Sequence, residues 1–337
     1  METTVQRSNE NVFKKLTSMR EGILVLIIAA MFVIMSFASE YFLLPQTMLN
    51  LLMSFTVEGV IAIGMVILLV SGGMDLSAGA NMAFTGVFSA IMYVQLGLPL
   101  AIAVIMGLLA GLAIGIFNGV MVAKVGLNPL ITTLATQMTF QGLMMIITKG
   151  KAVNVPAPYQ VLGKGTFLNI QYPVYILIAL VVVFEILLRK TRFLRSAYYV
   201  GGNENSAKLN GINVDKVKIF NYALTGLLSG FTGIILTSRL TTASVTVGSD
   251  TALRTITACI IGGASLSGGE GSVLGAFLGV VFIQLISSSL NIMSVDTHVK
   301  TFVTGLILIG AITLDVVNEK RKAKKITASA QKSLEDN

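Results

Sequence analysis

Residues 51–79 read LLMSFTVEGVIAIGMVILLVSGGMDLSAG. The first twenty of them contain one charged side chain, Glu58, and are otherwise mostly apolar. A helix needs about 20 apolar residues to cross the hydrocarbon core of a bilayer. The run ends at Gly72-Gly73, and a glycine pair predicts a turn. This stretch therefore predicts a membrane-spanning helix followed by a tight turn.

The rest of the chain repeats this pattern. Of its 337 residues, 54% are hydrophobic and 12% are charged, whereas soluble domains carry about 25% charged residues. We predict an all-α polytopic membrane protein with about ten transmembrane helices within residues 22–317, some interrupted by glycine-rich turns. The predicted segments, two of them short or interrupted, are 22–39, 51–70, 78–94, 98–123, 129–148, 172–188, 219–237, 252–261, 272–293 and 299–314.

The net charge of +8 is explained by topology rather than by nucleic-acid binding. With ten crossings, 18 of the 24 basic residues fall on one side, and basic loops mark the cytoplasmic side. We therefore expect a cytoplasmic N-terminal tail at 1–21, a cytoplasmic loop at 189–218 and a disordered basic tail at 318–337. The first segment is interpreted as an uncleaved helix rather than a signal peptide, because the charge pattern requires the N-terminus inside.

Few residues in this chain could carry covalent or metal chemistry. Cys259 is the only cysteine and His298 the only histidine, so neither an internal disulfide nor a zinc ligand set can form. Gly163-Lys164-Gly165-Thr166 has the composition of a phosphate-binding loop but not its spacing. We expect no catalytic residue, no metal and no cofactor in this chain.

The sequence 72–79, the first glycine segment, recurs as GGASLSGG at 262–269, the second glycine segment. The offset is 190 residues and five of the eight positions are identical. Paired glycine-interrupted segments can mark a transport path between structural repeats. They can equally be helix-breaking turns capped by Asp75 or Ser265. The predicted turn residues are Gly72, Gly73, Gly262, Gly263, Gly268 and Gly269.

The cytoplasmic loop contains one further predicted element. A short polar helix runs from about Glu204 to Asn210 and ends at Gly211, a residue type typical of helix C-termini. Such a helix on the cytoplasmic face is either a docking element or a tether.

Polar side chains inside the predicted spans are candidates for a translocation path. Thr133, Gln137 and Gln141 fall on one face of the fifth span. Thr225 and Ser229 belong to a similar stripe in the seventh span. Hydrogen bonding between helices is the alternative for both stripes. Asp75, in the first glycine segment before the third span, is a further candidate for the path.

Two charged candidates lie in the outer half of the predicted bundle. Glu58 of the second span and Arg254 of the eighth would each be an unpaired buried charge, so we predict that they pair across the path. The alternatives are that Arg254 reaches the interface and Glu58 lies in a wet vestibule.

Several motifs occurring in order resemble one known family, the permease subunits of bacterial ABC importers for simple sugars of the ribose, galactose, arabinose and xylose type. The resemblance extends from about Ser36 to Asp315. The motifs are Ser71 to Gly79, Asn118-Gly119 with Ala123-Lys124, Pro129 to Leu134, Gly201-Gly202-Asn203, Gly211 to Val214, Ser238-Arg239-Leu240, and Ile261 to Gly269 followed by Gly271.

The resemblance implies a function and partners. It implies a permease that forms the path for a monosaccharide or related small polyol, pairs with a second copy, receives solute from an extracytoplasmic binding protein and docks on a cytoplasmic ABC ATPase that holds ATP and Mg. Members of this family carry a cytoplasmic coupling helix with the pattern Glu-Ala-Ala, then three residues, then Gly. In this chain the pattern falls on Asn205, Ser206, Ala207 and Gly211, with Glu204 beside it. Ala207 and Gly211 match the pattern, whereas Asn205 and Ser206 depart from it. The alternative function is an ion- or proton-coupled secondary transporter; a membrane-embedded enzyme is disfavoured because no nucleophile or metal set exists.

Overall fold

The computed structural model describes residues 20–335, so most of the predicted 1–21 tail lies outside the described residues. This part of the chain forms thirteen helices and four two-residue strands. They are α1 (Arg20–Ala38), α2 (Pro45–Val70), α3 (Ala78–Val94), α4 (Leu100–Ala123), α5 (Pro129–Thr148), β1 (Val153–Asn154), α6 (Ala157–Lys164), β2 (Thr166–Phe167), β3 (Ile170–Gln171), α7 (Tyr172–Lys190), α8 (Arg192–Gly202), α9 (Glu204–Leu209), α10 (Val214–Leu240), β4 (Thr242–Ala243), α11 (Thr251–Ile261), α12 (Val273–Ile292) and α13 (Thr297–Glu335).

Eight of these helices are long and apolar enough to span a membrane, and α3 and α11 are shorter apolar helices. Together they account for the ten predicted segments, and the all-α membrane fold is confirmed. The helices extend beyond the apolar runs at some ends. For example, α2 begins at Pro45, six residues before the predicted start, because proline suits the first turn of a helix. Likewise α10 begins at Val214, where Asn213 accepts a hydrogen bond from the backbone N–H of Lys216.

Helices α2 and α10 form the centre of the bundle. Residues 58–70 of α2 are all buried, and α10 packs against α2, α3 and α4. Glycines permit these close approaches. A Cβ at Gly64 would lie 2.7 Å from the Cα of Thr225, and one at Gly111 would lie 2.8 Å from the carbonyl oxygen of Gly226. The glycines thus allow backbone-to-backbone packing at the core.

The segments predicted to lie outside meet at one end of the bundle. Strand β1 pairs antiparallel with β4, joining the segment after α5 to the segment after α10. Between them, the N–H of Gly163 in α6 donates to Ser238 Oγ at 2.6 Å. Helices α8 and α9, which lie within the predicted cytoplasmic loop 189–218, are at the opposite end, where Gly201 meets the end of α2 and the second glycine segment.

Both glycine segments end a helix in the same way. The N–H of Gly73 donates to Leu68 O and that of Gly72 to Leu69 O, with Gly72 at φ +76°. After α11, Ala264 and Gly263 repeat this pattern with Cys259 and Ile260 as acceptors. This pair of bonds is a Schellman motif, which requires a left-handed residue that glycine supplies. The predicted turns are therefore present, offset here by 191 rather than 190 residues.

The predicted caps were wrong in position. Helix α3 begins after Ser77, and Asp75 instead accepts hydrogen bonds from the N–H and the hydroxyl of Ser77 within the turn. Helix α12 begins eight residues after Ser265, and Ser272 is its cap. The second segment simply runs longer than the first before the next helix starts.

The C-terminal prediction also differs from the structure. Residues 318–335 continue α13 as helix, whereas the sequence predicted disorder from 318. The tail is rich in lysine and alanine, which have high helix propensity, and it extends a helix that is already nucleated in the membrane.

Candidate functional site

The predicted cytoplasmic helix is present as α9. Asn203 Oδ1 accepts from the N–H of Ser206 at 2.9 Å and caps the helix, and Gly211 follows it at φ +78°. Glu204 joins α9 to α10 through Lys218 Nζ at 2.6 Å and also binds Lys208 at 2.9 Å. Of the predicted coupling residues, Ala207 is buried while Asn205 and Ser206 are exposed. The helix thus has one anchored face and one free face.

The hydrogen bonds from Lys218 and Lys208 lower the pKa of Glu204 below its usual 4.5. A carboxylate with a lowered pKa stabilises the fold above the unfolded-state value, and this contribution is lost as the pH falls through the folded-state pKa. The ion pairs of α9 are therefore intact at neutral pH and are lost only in acid below about pH 4.5.

Helix α8 was not predicted. It packs closely against the bundle at Gly201. A Cβ at Gly201 would overlap the carbonyl oxygen of Val70 and would lie 2.7 Å from the N–H nitrogen of Gly269. The N–H of Gly269 itself donates to Val70 O at 2.8 Å. Gly268 also packs on the backbone of Gly201. The end of α8 therefore touches both the end of α2 and the second glycine segment.

Two acidic residues hold the segment around the second glycine turn. Glu185 of α7 accepts from the N–H of Leu274 at 2.9 Å and also pairs with Arg189. Asp315 of α13 accepts from the N–H of Leu266 at 3.1 Å. Nothing in the local sequence indicates these backbone partners, which lie 89 and 49 residues away in the chain.

The first glycine segment is held by a buried polar network. Ser77 Oγ donates to Asp75 at 2.6 Å and accepts from Asn118 Nδ2 at 2.8 Å. Thr136 Oγ1 of α5 donates to Asn118 Oδ1 at 2.7 Å. Thr133 Oγ1 accepts from the N–H of Leu76 at 3.1 Å. This network connects the turn to α4 and α5. Asn118 belongs to one of the sequence motifs, but the sequence alone did not reveal its hydrogen-bond partners.

The two predicted polar stripes differ in their surroundings. Thr133 is buried against the first glycine segment, whereas Gln137 and Gln141 are half-buried on the same face of α5. Thr225 and Ser229 are fully buried in α10; Thr225 donates to the carbonyl of Asn221, and Ser229 Oγ has no hydrogen-bond partner among the described residues. Helix α5 packs mainly against α3 and α4 rather than against α10, so the two stripes do not form one surface.

The predicted pair of Glu58 and Arg254 is confirmed. Arg254 Nε of α11 donates to Glu58 Oε1 of α2 at 2.8 Å. The side chain of Glu58 is 3% exposed and that of Arg254 34%. The carboxylate is therefore the inner partner, and the guanidinium extends from it toward an opening between α11 and α13.

Comparisons with known proteins agree with this architecture. Residues 47–312 match the family described as branched-chain amino acid transport system / permease component. The chain is 38% identical over 286 residues to the ribose import permease protein RbsC of Bacillus subtilis (strain 168), covering 84% of this chain and 88% of the relative. It is 35% identical over 309 residues to the L-arabinose ABC transporter permease protein AraH of Azospirillum brasilense, covering 91% of each.

A third relative, the ribose import permease protein RbsC of Escherichia coli (strain K12), is 31% identical over 319 residues, which covers 93% of this chain and 98% of the relative. The family match covers well over half of the chain, and these relatives match it over most of their length. The protein therefore belongs to this family of transport-system permease components, and it is a multi-pass membrane permease of the ABC-importer type rather than an enzyme.

Proposed function

We propose that this chain is the translocation subunit of an ATP-driven importer that carries a monosaccharide or a related small polyol. The names of the ribose and arabinose permeases support the solute class. The observation that carries the mechanism is the position of Gly201, which packs against both Val70 and the second glycine segment. A partner that displaces α8 and α9 would therefore act on two separate parts of the bundle at once.

The cytoplasmic partner would be an ABC ATPase that binds ATP and Mg. Support comes from a groove of about 490 Å³ beside α8 and α9, which Tyr198, Tyr199 and Asn203 help to line. The exposed face of α9 carries Asn205 and Ser206, and Ser206 also lines this groove. We assign coupling to this face, and to Glu204, Ala207 and Gly211 the role of holding α9 in place.

A second copy of the chain would complete the path. The centre of the bundle is filled by α2 and α10, so solute has no room to pass between them. A path must then lie on a lateral face that another subunit closes. A homodimer satisfies this requirement with one gene product.

An extracytoplasmic binding protein would deliver solute at the end that carries β1 and β4. Arg254 lies one turn into α11 from this end, paired with Glu58, and we place both on the path. Asp75, Thr133, Gln137, Gln141, Thr225 and Ser229 remain candidates for the inner part. All of these except Asp75 carry neutral hydroxyl or amide groups, which suit a solute that must be bound weakly enough to be released.

Reconstitution tests this proposal against the ion-coupled alternative. The chain in proteoliposomes with its ATPase and binding protein should take up labelled D-ribose or L-arabinose only when ATP and both partners are supplied. The chain alone under a proton gradient should take up neither sugar. Uptake by the chain alone on a proton gradient would contradict the proposal and establish a secondary transporter.

A further inference from the structure

A cavity of about 370 Å³ opens between α11, α12 and the first turns of α13. Its lining extends along α11 from Asp250 at the outer end to Thr257, which lies about 10 Å further into the bundle at a helical rise of 1.5 Å per residue. Small-molecule sites commonly have volumes of about 300–1,000 Å³. The cavity is therefore large enough for one small solute, and it begins at the outer end of the bundle.

The wall of the cavity combines apolar surface, which makes up most of its exposed area, with an unusual number of polar side chains. Eight of the eleven lining residues carry polar or charged side chains, among them Ser287, Asn291 and Thr304. Several of these groups already have partners in the protein: Thr257 and Thr304 donate to backbone carbonyls of their own helices, and Lys300 donates to Asn291. A solute that offers both hydroxyl groups and apolar carbon atoms therefore suits this mixed wall.

Arg254 is held so that it can bind something in the cavity. Its Nε is occupied by Glu58, and within the described part of the chain it makes no hydrogen bond through its terminal nitrogens. A guanidinium has five N–H donors, so four of them remain for a ligand. Glu58 is almost fully buried, and its hydrogen bond to Nε fixes the position of the arginine from the side facing the bundle interior.

The charges around the cavity balance. Arg254 and Lys300 supply two positive charges, while Asp250 and the adjacent Glu58 supply two negative ones. Lys300 Nζ also donates to Asn291 Oδ1. An anion would find no excess positive charge here. The hydroxyl groups of a neutral solute could instead accept hydrogen bonds from Arg254 and form hydrogen bonds with the serine, threonine and asparagine side chains of the lining.

We propose that this cavity binds a neutral polyhydroxylated molecule of monosaccharide or alditol size, with Arg254 as the residue that selects it and Glu58 as its positioning residue. The inference rests on the proposed function, because it gives the transported solute a place on the outer half of the permease.

Cysteine protection in the full chain, reconstituted in nanodiscs, tests this site. The native Cys259 is fully buried and gives the background rate. Thr304→Cys places a thiol in the lining, and Val161→Cys places one on the exposed face of α6, which does not line the cavity. A membrane-impermeant thiol reagent is applied with ribitol, L-arabinose or gluconate as the probe.

We expect ribitol or L-arabinose to slow labelling of Thr304→Cys by about twofold once its concentration equals the dissociation constant, and to leave Val161→Cys unchanged. Gluconate, an anion of similar size, should protect less. The proposal is overturned if Thr304→Cys cannot be labelled, if neither neutral probe protects it, or if gluconate protects it best.

Variants of Arg254 test its role in the same assay. Arg254→Gln should abolish protection. Arg254→Lys keeps the positive charge but loses the guanidinium donors, so it should weaken protection. Arg239→Gln is the matched control, because Arg239 is another arginine of the outer half that bonds Asn50 and does not line the cavity. Protection that survives in both Arg254 variants would refute its selective role.

This result can be separated from the proposed function. If ATP-dependent uptake requires both partners but no probe protects Thr304→Cys, the cavity proposal fails and the importer proposal stands. If uptake by the chain alone follows a proton gradient, the importer proposal fails whatever the labelling shows.

Discussion

At the scale of single residues, Gly201 determines how closely the cytoplasmic unit approaches the bundle. Its α-carbon faces the end of α2 and the second glycine segment with no space for a side chain. A Cβ at the neighbouring Gly202 would instead point into open space among the described residues, with no contact within 4 Å. Two adjacent glycines thus occupy very different surroundings, which makes them a natural matched pair.

Gly201→Ala should separate α8 from the bundle, because the new methyl group would overlap backbone atoms that cannot rotate away. Overpacking of this kind costs about 1–3 kcal/mol. We expect a lower melting temperature and a large loss of ATP-driven uptake relative to ATP hydrolysis in the reconstituted complex. Gly202→Ala should leave the melting temperature close to wild type; an equal drop in both variants would contradict the close contact at Gly201.

The pair of Glu58 and Arg254 shows what could be predicted about single residues. Two lone charges in apolar spans implied a partnership, and the structure contains it at 2.8 Å. The sequence could not say that the carboxylate is the buried member, nor that a cavity adjoins the arginine. Those facts depend on how α11, α12 and α13 pack, and local sequence carries little information about packing between distant segments.

At the scale of elements, the apolar runs predicted the spans but not α8. The buried positions of α8 at Leu194, Ala197 and Val200 recur every three residues, a helical spacing that was available in the sequence but is short and surrounded by arginines. The backbone contacts of Asp315 and Glu185 had no comparable signal, since their partners lie 49 and 89 residues away. Tertiary contacts of this kind are not encoded in any local pattern.

Helix α9 is six residues long and depends on its cap. Asn203→Ala removes the hydrogen bond to the N–H of Ser206, which costs about 1 kcal/mol at a helix N-terminus. We expect amide hydrogen exchange in α9 to quicken by about fivefold, the equivalent of that energy. Asn205→Ala is the control, because the Asn205 side chain makes no hydrogen bond within residues 20–335. Unchanged exchange in Asn203→Ala would show that the packing of Ala207 and the ion pairs of Glu204 hold the helix without the cap.

At the scale of the whole molecule, the two short helices decide which side each loop occupies. Helices α3 and α11 have 17 and 11 residues, fewer than the about 20 that a full crossing needs. Each is continued by a glycine segment or by the outer loops that hold β4. If both segments cross with these extensions, α6 lies outside and α9 inside. If α3 failed to cross, every loop from α4 to α10 would change sides.

Labelling of two single cysteines in intact cells decides between these topologies. Val161→Cys on α6 and Leu209→Cys on α9 both place the thiol at exposed positions, while the native Cys259 is buried. With ten crossings and a cytoplasmic N-terminus, an impermeant maleimide should label Val161→Cys in intact cells and Leu209→Cys only after permeabilisation. This follows because 18 of 24 basic residues then lie inside, where the membrane potential and the insertion machinery favour them. The reverse pattern would mean that α3 does not cross, and it would move α8 and α9 out of reach of any cytoplasmic ATPase.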